Sequence, residues 1–291
     1  MMICIASGKG GTGKTTVATN LAAVLADQGE RVQILDTDVE APNCHLFLNP
    51  EITKETPVNL LIPQVDHDKC TLCGRCGEVC EFNAIAVFGK SVLVFPELCD
   101  GCGACTLACP EDAITEIDHR IGSVKYGKAQ EIDFISGHLL LGEAKAPPVI
   151  RDVKKQISND YINIIDAPPG TSCPVVEAMK NSDYVVLVTE PTPFGFNDLV
   201  LAVEVVQKLD IPFGVIINRA DVGDDRVVQY CDAHEIPVLL EIPQSRVIAE
   251  AYSSGIMLVN AMSEYKKKFE KLYQSITQRV SKRELKSRAG V

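Results

Sequence analysis

The chain has 291 residues, of which 46% are hydrophobic, and its formal net charge is −11. This apolar content supports a large packed core and excludes a disordered chain. The acidic balance argues against binding along a nucleic-acid backbone, which needs a basic face to displace counterions. No apolar run approaches the roughly 20 residues of a membrane span, and the first residues lack the pattern of a secretion signal. We therefore expect a cytoplasmic protein that neither binds nucleic acid nor inserts stably into membranes.

Short apolar runs recur along the chain and predict strands buried on both faces. The runs are residues 3–6, 32–35, 162–165, 185–188, 215–217 and 238–240. Helical patterns lie between most of them, at residues 14–27, 148–158, 197–209 and 224–234. This alternation predicts an α/β fold with a doubly wound, mostly parallel sheet, whose ligand binds at the carboxyl ends of the strands. An amphipathic pattern at 264–286 predicts a closing helix packed on the sheet, with a membrane-surface helix as the alternative.

A glycine-rich motif connects the first predicted strand to the first predicted helix. It reads Gly8-Lys9-Gly10-Gly11-Thr12-Gly13-Lys14-Thr15-Thr16 and fits the pattern G-x-x-x-x-G-K-[ST] in the context that this pattern requires. Glycines let backbone N–H groups curl around phosphates, and the helix adds its positive amino-terminal end. Lys14 is expected to reach the terminal phosphates and the Thr15 hydroxyl to bind Mg²⁺. The motif therefore predicts a site for ATP or ADP with Mg²⁺.

The lysine at the second position of the motif, Lys9, is not part of the general pattern. With it, the run K-G-G-x-G-K-[ST] from Lys9 to Thr15 resembles the deviant Walker A ATPases, the group of MinD, ParA, Mrp and the nitrogenase iron protein. The resemblance implies an ATP-dependent homodimer in which Lys9 reaches the partner's nucleotide. It therefore makes Lys9, together with Lys14, a candidate catalytic residue.

Two strand ends extend this resemblance. Residues 32–35 are followed by Asp36-Thr37-Asp38, and residues 162–165 by Asp166-Ala167-Pro168-Pro169-Gly170. In the family these positions are the first and second switch regions. The resemblance implies that Asp38 positions the attacking water and contacts the Mg²⁺ shell, and that Asp166 holds Mg²⁺ through water. Gly170 is then expected to sense the γ-phosphate through its backbone N–H.

The adenine side of the site is expected at two later strand ends. Asn218 follows the predicted strand at 215–217, and Pro243 lies in the loop after residues 238–240. In the family these regions recognise or border the base. A turn-forming asparagine is the alternative interpretation of Asn218.

Eight of the twelve cysteines form two copies of one pattern. The pattern C-x2-C-x2-C-x3-C recurs after 29 residues, as Cys70, Cys73, Cys76 and Cys80 and then as Cys99, Cys102, Cys105 and Cys109. It is the run of bacterial ferredoxins, whose fourth cysteine binds the other of two [4Fe-4S] clusters. The predicted ligand sets are Cys70, Cys73, Cys76 and Cys109 for the first cluster, and Cys99, Cys102, Cys105 and Cys80 for the second. Zinc is the alternative, although paired CxxC sites do not need the third and fourth cysteines at these offsets.

These cysteines lie in residues 65–118, here named the cysteine segment, which interrupt the strand–helix alternation. We predict that they form an inserted α+β ferredoxin-like domain, and that residues 1–64 and 119–291 form the P-loop ATPase domain. Ten acidic and three basic residues give the segment a net charge of −7, which suits docking on a basic redox partner.

The four remaining cysteines are scattered along the chain. Cys4 and Cys231 are expected in the core, and Cys44 is not assigned. Cys173 lies seven residues after Asp166, which is the offset of a cluster ligand in the nitrogenase iron protein. No cysteine between Cys109 and Cys173 supplies the second ligand that such a cluster needs, so a small buried residue is the alternative.

The motifs together predict an ATP-hydrolysing iron–sulfur protein. Its expected function is to couple nucleotide state to low-potential electron transfer, for redox activation or metallocofactor assembly on a client protein. Two alternatives stay open. An Mrp-like iron–sulfur carrier would hold its clusters as cargo, although eight fixed cysteines argue against labile binding. A MinD-like positioning ATPase would leave the cysteine segment without a role.

Overall fold

A computed structural model describes residues 1–288 of the chain, with side chains through residue 283. The strands are β1 (Met2–Ala6), β2 (Val32–Asp36), β3 (Glu51–Val65), β4 (Ile85–Phe88), β5 (Ser91–Val94), β6 (Ile114–Ala129), β7 (Ile132–Leu139), β8 (Ile162–Asp166), β9 (Tyr184–Thr189), β10 (Phe213–Asn218) and β11 (Val238–Ile242). The helices are α1 (Lys14–Asp27), α2 (His45–Leu48), α3 (Arg75–Glu78), α4 (Ala104–Ala108), α5 (Ala146–Lys154), α6 (Cys173–Met179), α7 (Pro193–Lys208), α8 (Arg226–Ala233), α9 (Arg246–Ser253), α10 (Leu258–Ala261) and α11 (Glu264–Arg288). Within the described residues, no helix combines the length and the apolar character that crossing a membrane requires.

Most strands belong to one sheet with the order β11-β10-β9-β1-β8-β2-β7-β6-β3. All pairs from β11 to β7 are parallel, and each of the six predicted apolar runs lies in one of these strands. The prediction of a mostly parallel α/β sheet is therefore confirmed. Because the strands run in one direction, the ends of β1, β2 and β8 meet at one edge, where the predicted nucleotide residues follow.

Helices cover both faces of the parallel part of this sheet, so its central strands β1, β2, β8 and β9 are buried on both sides. One face packs on α5, α6, α7 and α8, and the other on α1, α10 and α11. The closing helix α11 buries Phe269, Leu272 and Ile276 almost completely against α1 and the sheet. The prediction that this helix packs on the sheet is confirmed, since its apolar stripe is already used within the core.

A long antiparallel ribbon at the sheet edge was not predicted. Strands β3 and β6 pair from Glu51–Lys128 to Val65–Ile114, whereas β7 pairs only with residues 122–129 of β6. The far half of the ribbon therefore extends beyond the sheet. Pro57 and Pro63 fit β3 because an edge strand leaves one row of N–H groups without a ladder partner.

The two cysteine copies lie at the far end of the ribbon and form a structural repeat. The hairpin pair Ile85–Val94 corresponds to the ribbon pair Ile114–Val65, each residue lying 29 positions from its counterpart. The short helices α3 and α4 begin with the same spacing. Left-handed backbone conformations also recur at equivalent positions, which are Leu72, Gly74 and Asn83 in one copy and Gly101, Gly103 and Asp112 in the other. The sequence repeat thus folds into two matching halves joined to the sheet by the ribbon.

Candidate nucleotide site and cysteine centres

The glycine-rich loop lies between β1 and α1, at the carboxyl edge of the sheet. A side chain at Gly8 would overlap the backbone carbonyl of Asp198, so only glycine fits there. Gly13 caps α1 with φ of 98°, a left-handed conformation that glycine adopts without strain. The first turn of α1 contains no acidic residue, and therefore its N–H groups offer an anion site without competition.

A cavity of about 890 Å³ opens in front of this loop. Nine of the predicted nucleotide residues line it, namely Gly10, Gly11, Gly13, Lys14, Thr15, Thr16, Asp38, Asn218 and Pro243. Lys14 is only 6% exposed, and no carboxylate among the described side chains lies within ion-pair distance of it. Asp38 and Asp166 act on this ammonium group only at longer range. A buried ammonium group without a direct ion pair is costly, so the cavity fits a phosphate chain.

Two residues predicted to hold Mg²⁺, Thr15 of the glycine-rich loop and Asp166 at the end of β8, meet at one corner beside the cavity. The Thr15 hydroxyl donates a hydrogen bond of 2.6 Å to Oδ2 of Asp166. The second oxygen of this buried carboxylate, Oδ1, has no hydrogen-bond partner among the side chains and backbone that the structure describes. Oxygen donors of this kind suit Mg²⁺, which keeps several of its waters when protein carboxylates bind it.

The carboxylates at this corner repel each other and are poorly solvated. Burial, and then the neighbouring Asp166, raise the pKa of Asp38 to about 6. Burial likewise raises the pKa of Asp166 above its ordinary value, although hydrogen bonding from Thr15 and the nearby Lys14 oppose the shift. A bound divalent cation would reverse this balance, because its charge favours ionised carboxylates.

Two residues that were not predicted complete this corner. Asp36 is fully buried and accepts a hydrogen bond of 3.0 Å from the backbone N–H of Cys44, whose thiol lies 3.3 Å from Oδ2 of Asp166. Burial and these two carboxylates raise the pKa of the Cys44 thiol well above its ordinary value. Cys44 is therefore a neutral hydrogen-bond donor to Asp166, which is a role the sequence pattern did not indicate.

The other predicted nucleotide residues, Gly8, Lys9, Thr12, Asp166 and Gly170, lie beside the cavity but do not line it. Lys9 points to the end of β9, where its Nζ is 3.4 Å from Oε2 of the buried Glu190. The N–H of Gly170 donates to the carbonyl of Ser7 at 3.0 Å. In this conformation the N–H of Gly170 is occupied by Ser7, the residue after β1. Gly170 would have to break that hydrogen bond before its N–H could contact a γ-phosphate.

On the adenine side, Asn218 holds the glycine-rich loop. Its Nδ2 donates to the carbonyl of Thr12 at 2.8 Å, and its Oδ1 accepts from the N–H of Arg219. Arg219 also pairs with Glu190 at 2.9 Å. Further lining that was not predicted comes from residues 244–246 and Tyr252, near Pro243.

The eight repeated cysteines surround two small cavities in the cysteine segment. One cavity is lined by Cys70, Cys73, Cys76 and Cys109. The other is lined by Cys80, Cys99, Cys102 and Cys105. Each cavity thus receives three cysteines from one copy and the fourth from the other copy, which is the grouping that the repeat predicts.

Donors for thiolate sulfur are also repeated. The N–H of Ala84 lies 3.2 Å from Sγ of Cys80, and the N–H of Ala113 lies 3.3 Å from Sγ of Cys109. Hydrogen bonds of this kind stabilise the charge of sulfur ligands around a cluster. Four sulfur atoms at each cavity, with backbone donors beside them, fit a [4Fe-4S] cluster and also satisfy the ligand count of zinc.

The other cysteines lie outside these two groups. Cys4 and Cys231 are fully buried in the core, as expected. Cys173 is exposed and begins α6, so it is not the small buried residue of the alternative interpretation.

The residues missed near the nucleotide cavity divide into two kinds. Asp36 and Glu190 end or follow apolar runs at the carboxyl edge of the sheet. This position in the sequence could have identified them as candidates for the site. Cys44 and Tyr252 approach the site only through the packing of α2 and α9, which no local pattern indicates.

Comparison with known proteins agrees with this architecture. The uncharacterized protein MJ0579 of Methanocaldococcus jannaschii is 33% identical over 264 residues, covering 88% of this chain and 90% of that protein. The iron-sulfur cluster carrier protein of Rickettsia bellii is 26% identical over 268 residues, covering 90% of this chain and 67% of that protein. The septum site-determining protein MinD from Pyrococcus horikoshii, solved with Mg-ADP, shares the fold with a TM-score of 0.56 at 24% identity, covering 94% of each chain.

The family match extends over most of the chain. Residues 3–259 match the family described as the CobQ/CobB/MinD/ParA nucleotide binding domain. This range contains the glycine-rich loop, Asp38, Asp166 and the whole cysteine segment. The chain belongs to the CobQ/CobB/MinD/ParA family of P-loop nucleotide-binding proteins.

Proposed function

We propose that this protein is an ATPase that couples its nucleotide state to low-potential electron delivery through two [4Fe-4S] clusters. The observation that carries the proposal is the presence, in one chain, of a phosphate-binding cavity and of two cavities with four cysteines each. The client is a redox or cofactor-assembly protein with a basic docking surface, since the cysteine segment is strongly acidic.

Each of the nucleotide-site residues has a separate role in the proposed phosphoryl transfer. Lys14 binds the terminal phosphates, while Thr15 and Asp166 hold Mg²⁺, which neutralises the developing charge. Asp38 lines the cavity near this corner and orients the attacking water. These roles follow the family pattern and agree with the burial and hydrogen bonds of the residues involved.

The two cysteine sets each hold one cluster in this proposal. Bound clusters supply one-electron chemistry at low potential. The chain's own part is to fix four thiolates around each cavity, to donate N–H groups from Ala84 and Ala113 to sulfur, and to keep both centres at the end of the ribbon. A purely structural role would need only one such centre.

Hydrolysis is proposed to depend on a homodimer. Lys9 would leave Glu190 and contact the partner's phosphates, in the manner of the deviant Walker A proteins that the motif resembles. The dimer closes when ATP is bound and opens after hydrolysis, and this movement shifts the cysteine segments relative to the client.

An iron–sulfur carrier is the second candidate function. It is favoured by relatives named iron-sulfur cluster carrier protein, at 25–26% identity in Rickettsia bellii and Pyrococcus abyssi. In a carrier the cysteines would release clusters to an acceptor. Two complete sets of four cysteines favour retention over release.

The test begins with anaerobic reconstitution, followed by measurement of iron, acid-labile sulfide and the EPR spectrum after reduction. Electron delivery predicts two [4Fe-4S] centres that remain bound when excess apo-ferredoxin is added. Rapid transfer of clusters to the apo-ferredoxin would replace the proposal with the carrier function. Cys73→Ser is expected to remove one centre, whereas the matched control Cys173→Ser, outside both sets, leaves the cluster content unchanged. Zinc without sulfide would contradict both candidates.

A further inference from the structure

One lysine of the nucleotide-binding part contacts the second copy of the cysteine pattern. Lys145 lies in the segment between β7 and α5. Its Nζ donates to the carbonyl of Leu98 at 3.0 Å and to Oδ1 of Asp100 at 3.4 Å. It also lies 5.4 Å from the centre of the Phe82 ring, and its side chain is only 17% exposed. These contacts fix an ammonium group beside Cys99, a member of the second cysteine set.

The first copy has no equivalent contact among the described residues. We name residues 69–76 the first cysteine loop and residues 98–105 the second cysteine loop, which correspond at a spacing of 29. Lys69 and Thr71 stand where the second loop has Leu98 and Asp100, and the ion pair of Lys69 is with Asp66 of the same segment. The two predicted centres therefore differ in their electrostatic surroundings.

The second loop also packs on the ribbon. A side chain at Gly101 would lie 2.8 Å from Cδ1 of Leu60 and 3.1 Å from the carbonyl of Leu61, so this loop needs glycine to approach β3. The first loop carries Leu72 at the equivalent position, and Leu72 packs within the cysteine segment itself. The second centre is thus the one that lies against the rest of the protein.

The segment that carries Lys145 begins at the end of β7, which is hydrogen-bonded to the residue after Asp38. The N–H of Leu139 donates to the carbonyl of Val39 at 2.8 Å, directly after Asp38. The chain then continues through the N–H of Leu140, which bonds to Ile121, toward Lys145. The segment that holds the second loop is therefore attached to the residue next to the proposed water-positioning aspartate.

We propose that Lys145 is the positioning residue of the second cluster: it docks the second cysteine loop on the nucleotide-binding part and raises the reduction potential of that cluster alone. A cluster with four thiolates is anionic, and reduction adds one more negative charge. A fixed cation nearby stabilises the reduced state, and its charge acts strongly because the group is shielded from water. The inference rests on the proposed function, since it requires clusters at both cysteine sets.

The test is an EPR-monitored redox titration of the reconstituted protein, with dithionite as reductant. Lys145→Met keeps the packing of the stem and removes the charge. We expect the midpoint potential of one cluster to fall while the other stays unchanged, and Lys145→Arg to restore the original value. Asp100→Asn removes the opposite charge and should raise the potential of the same cluster. Lys155→Met, at an exposed lysine on α5's carboxyl end, is the matched control without effect.

The cluster concerned is identified as the one whose signal Cys102→Ser alters. Selective loss of this cluster in Lys145→Met, reversed in Lys145→Arg, would also support the docking role. Unchanged potentials in Lys145→Met, or equal shifts of both clusters, would overturn the inference while leaving the proposed function intact. Failure of the wild-type protein to bind any iron–sulfur cluster would instead remove the proposed function.

Discussion

Lys9 and Glu190 form an ion pair within one chain, with Nζ of Lys9 3.4 Å from Oε2 of Glu190. Glu190 is 5% exposed and also faces Arg219, so its buried charge has two cations. Lys9 is about a third exposed, and its contact with Glu190 is longer than the 2.9 Å contact of Arg219. The pair therefore holds Lys9 beside its own glycine-rich loop until a competing anion draws it away.

Lys9→Ala is predicted to abolish ATP-dependent dimerisation while the chain still folds and binds nucleotide. Arg219 continues to neutralise Glu190, and Lys14 still contacts the phosphates, so stability and affinity change little. Loss of a cation supplied across a dimer lowers the hydrolysis rate by about 10³-fold or more. Analytical ultracentrifugation with a non-hydrolysable ATP analogue and a phosphate-release assay measure both effects. Dimers that form normally in Lys9→Ala would show that this lysine acts only within its own subunit.

Asp166→Asn is predicted to weaken Mg²⁺-dependent nucleotide binding more than Mg²⁺-free binding. The substitution keeps the shape of the side chain and an acceptor for the Thr15 hydroxyl, but removes the negative charge that would attract Mg²⁺. Loss of an outer-sphere partner of this kind costs about 10- to 100-fold in metal affinity. Calorimetric titration with and without Mg²⁺ compares the two. As a control, Asp183→Asn changes an exposed carboxylate at the opposite end of the sheet, where it accepts from the N–H of Met2, and should leave Mg²⁺ affinity unchanged.

Exchange of the fourth cysteines tests the crossed ligand sets. Cys109→Ser is predicted to disturb the centre that contains Cys70, and Cys80→Ser the centre that contains Cys99, because the cavities are lined in this way. The EPR spectrum of Cys109→Ser should therefore match that of Cys73→Ser and differ from that of Cys102→Ser. If the spectrum of Cys109→Ser instead matched that of Cys102→Ser, each copy would bind its cluster with its own four cysteines.

His138 on β7 is predicted to make stability depend on pH. Burial, followed by the charges of Lys125 and His45, lowers its pKa from 6.5 to about 4. The unfolded chain takes up a proton as pH falls through 6.5, whereas the folded chain does so only near pH 4. The stability contributed by neutral His138 is therefore present above pH 6.5 and lost progressively as pH falls toward 4. Its ring is half-buried, so solvent reduces the size of this effect.

Thermal unfolding followed by circular dichroism at several pH values checks this prediction on protein without clusters. His138→Gln should lose less stability than the wild type between pH 7 and pH 5, since glutamine does not titrate. His234→Gln, at an exposed histidine on the carboxyl end of α8, is the matched control. Parallel pH profiles of the wild type and His138→Gln would contradict the assigned shift.

The central sheet was predictable because its signal is local. The parallel strands β1, β2, β8 and β9 are buried on both faces, and the resulting apolar runs are visible in the sequence, as is the loop that Gly8 and Gly13 shape. β7 is also parallel to its neighbour β2, but no predicted run covered it. The ribbon was not predictable in this way. Most of β3 is exposed, so only Val58 and Ile62 among its apolar residues are buried and no alternation marks the strand.

The candidate site shows the same division. Lys14, Thr15 and Asp166 were identified because the motif and the strand ends fix their positions, and the structure brings them together. Glu190 and Lys145 act through contacts with residues far away in the chain, and such contacts arise only from tertiary packing. The fold places the end of β9, with Glu190, beside the glycine-rich loop. It places the segment after β7, with Lys145, beside the second cysteine loop.

The most direct test of nucleotide-gated electron delivery is the reduction potential of the two clusters, measured by EPR-monitored titration with and without a Mg²⁺-bound, non-hydrolysable ATP analogue. The account predicts that nucleotide shifts the potential of at least one cluster in the wild type, and that the shift disappears in Lys9→Ala because its dimer does not close. Potentials that are identical with and without nucleotide, in protein shown to contain both clusters and to bind the analogue, would contradict it.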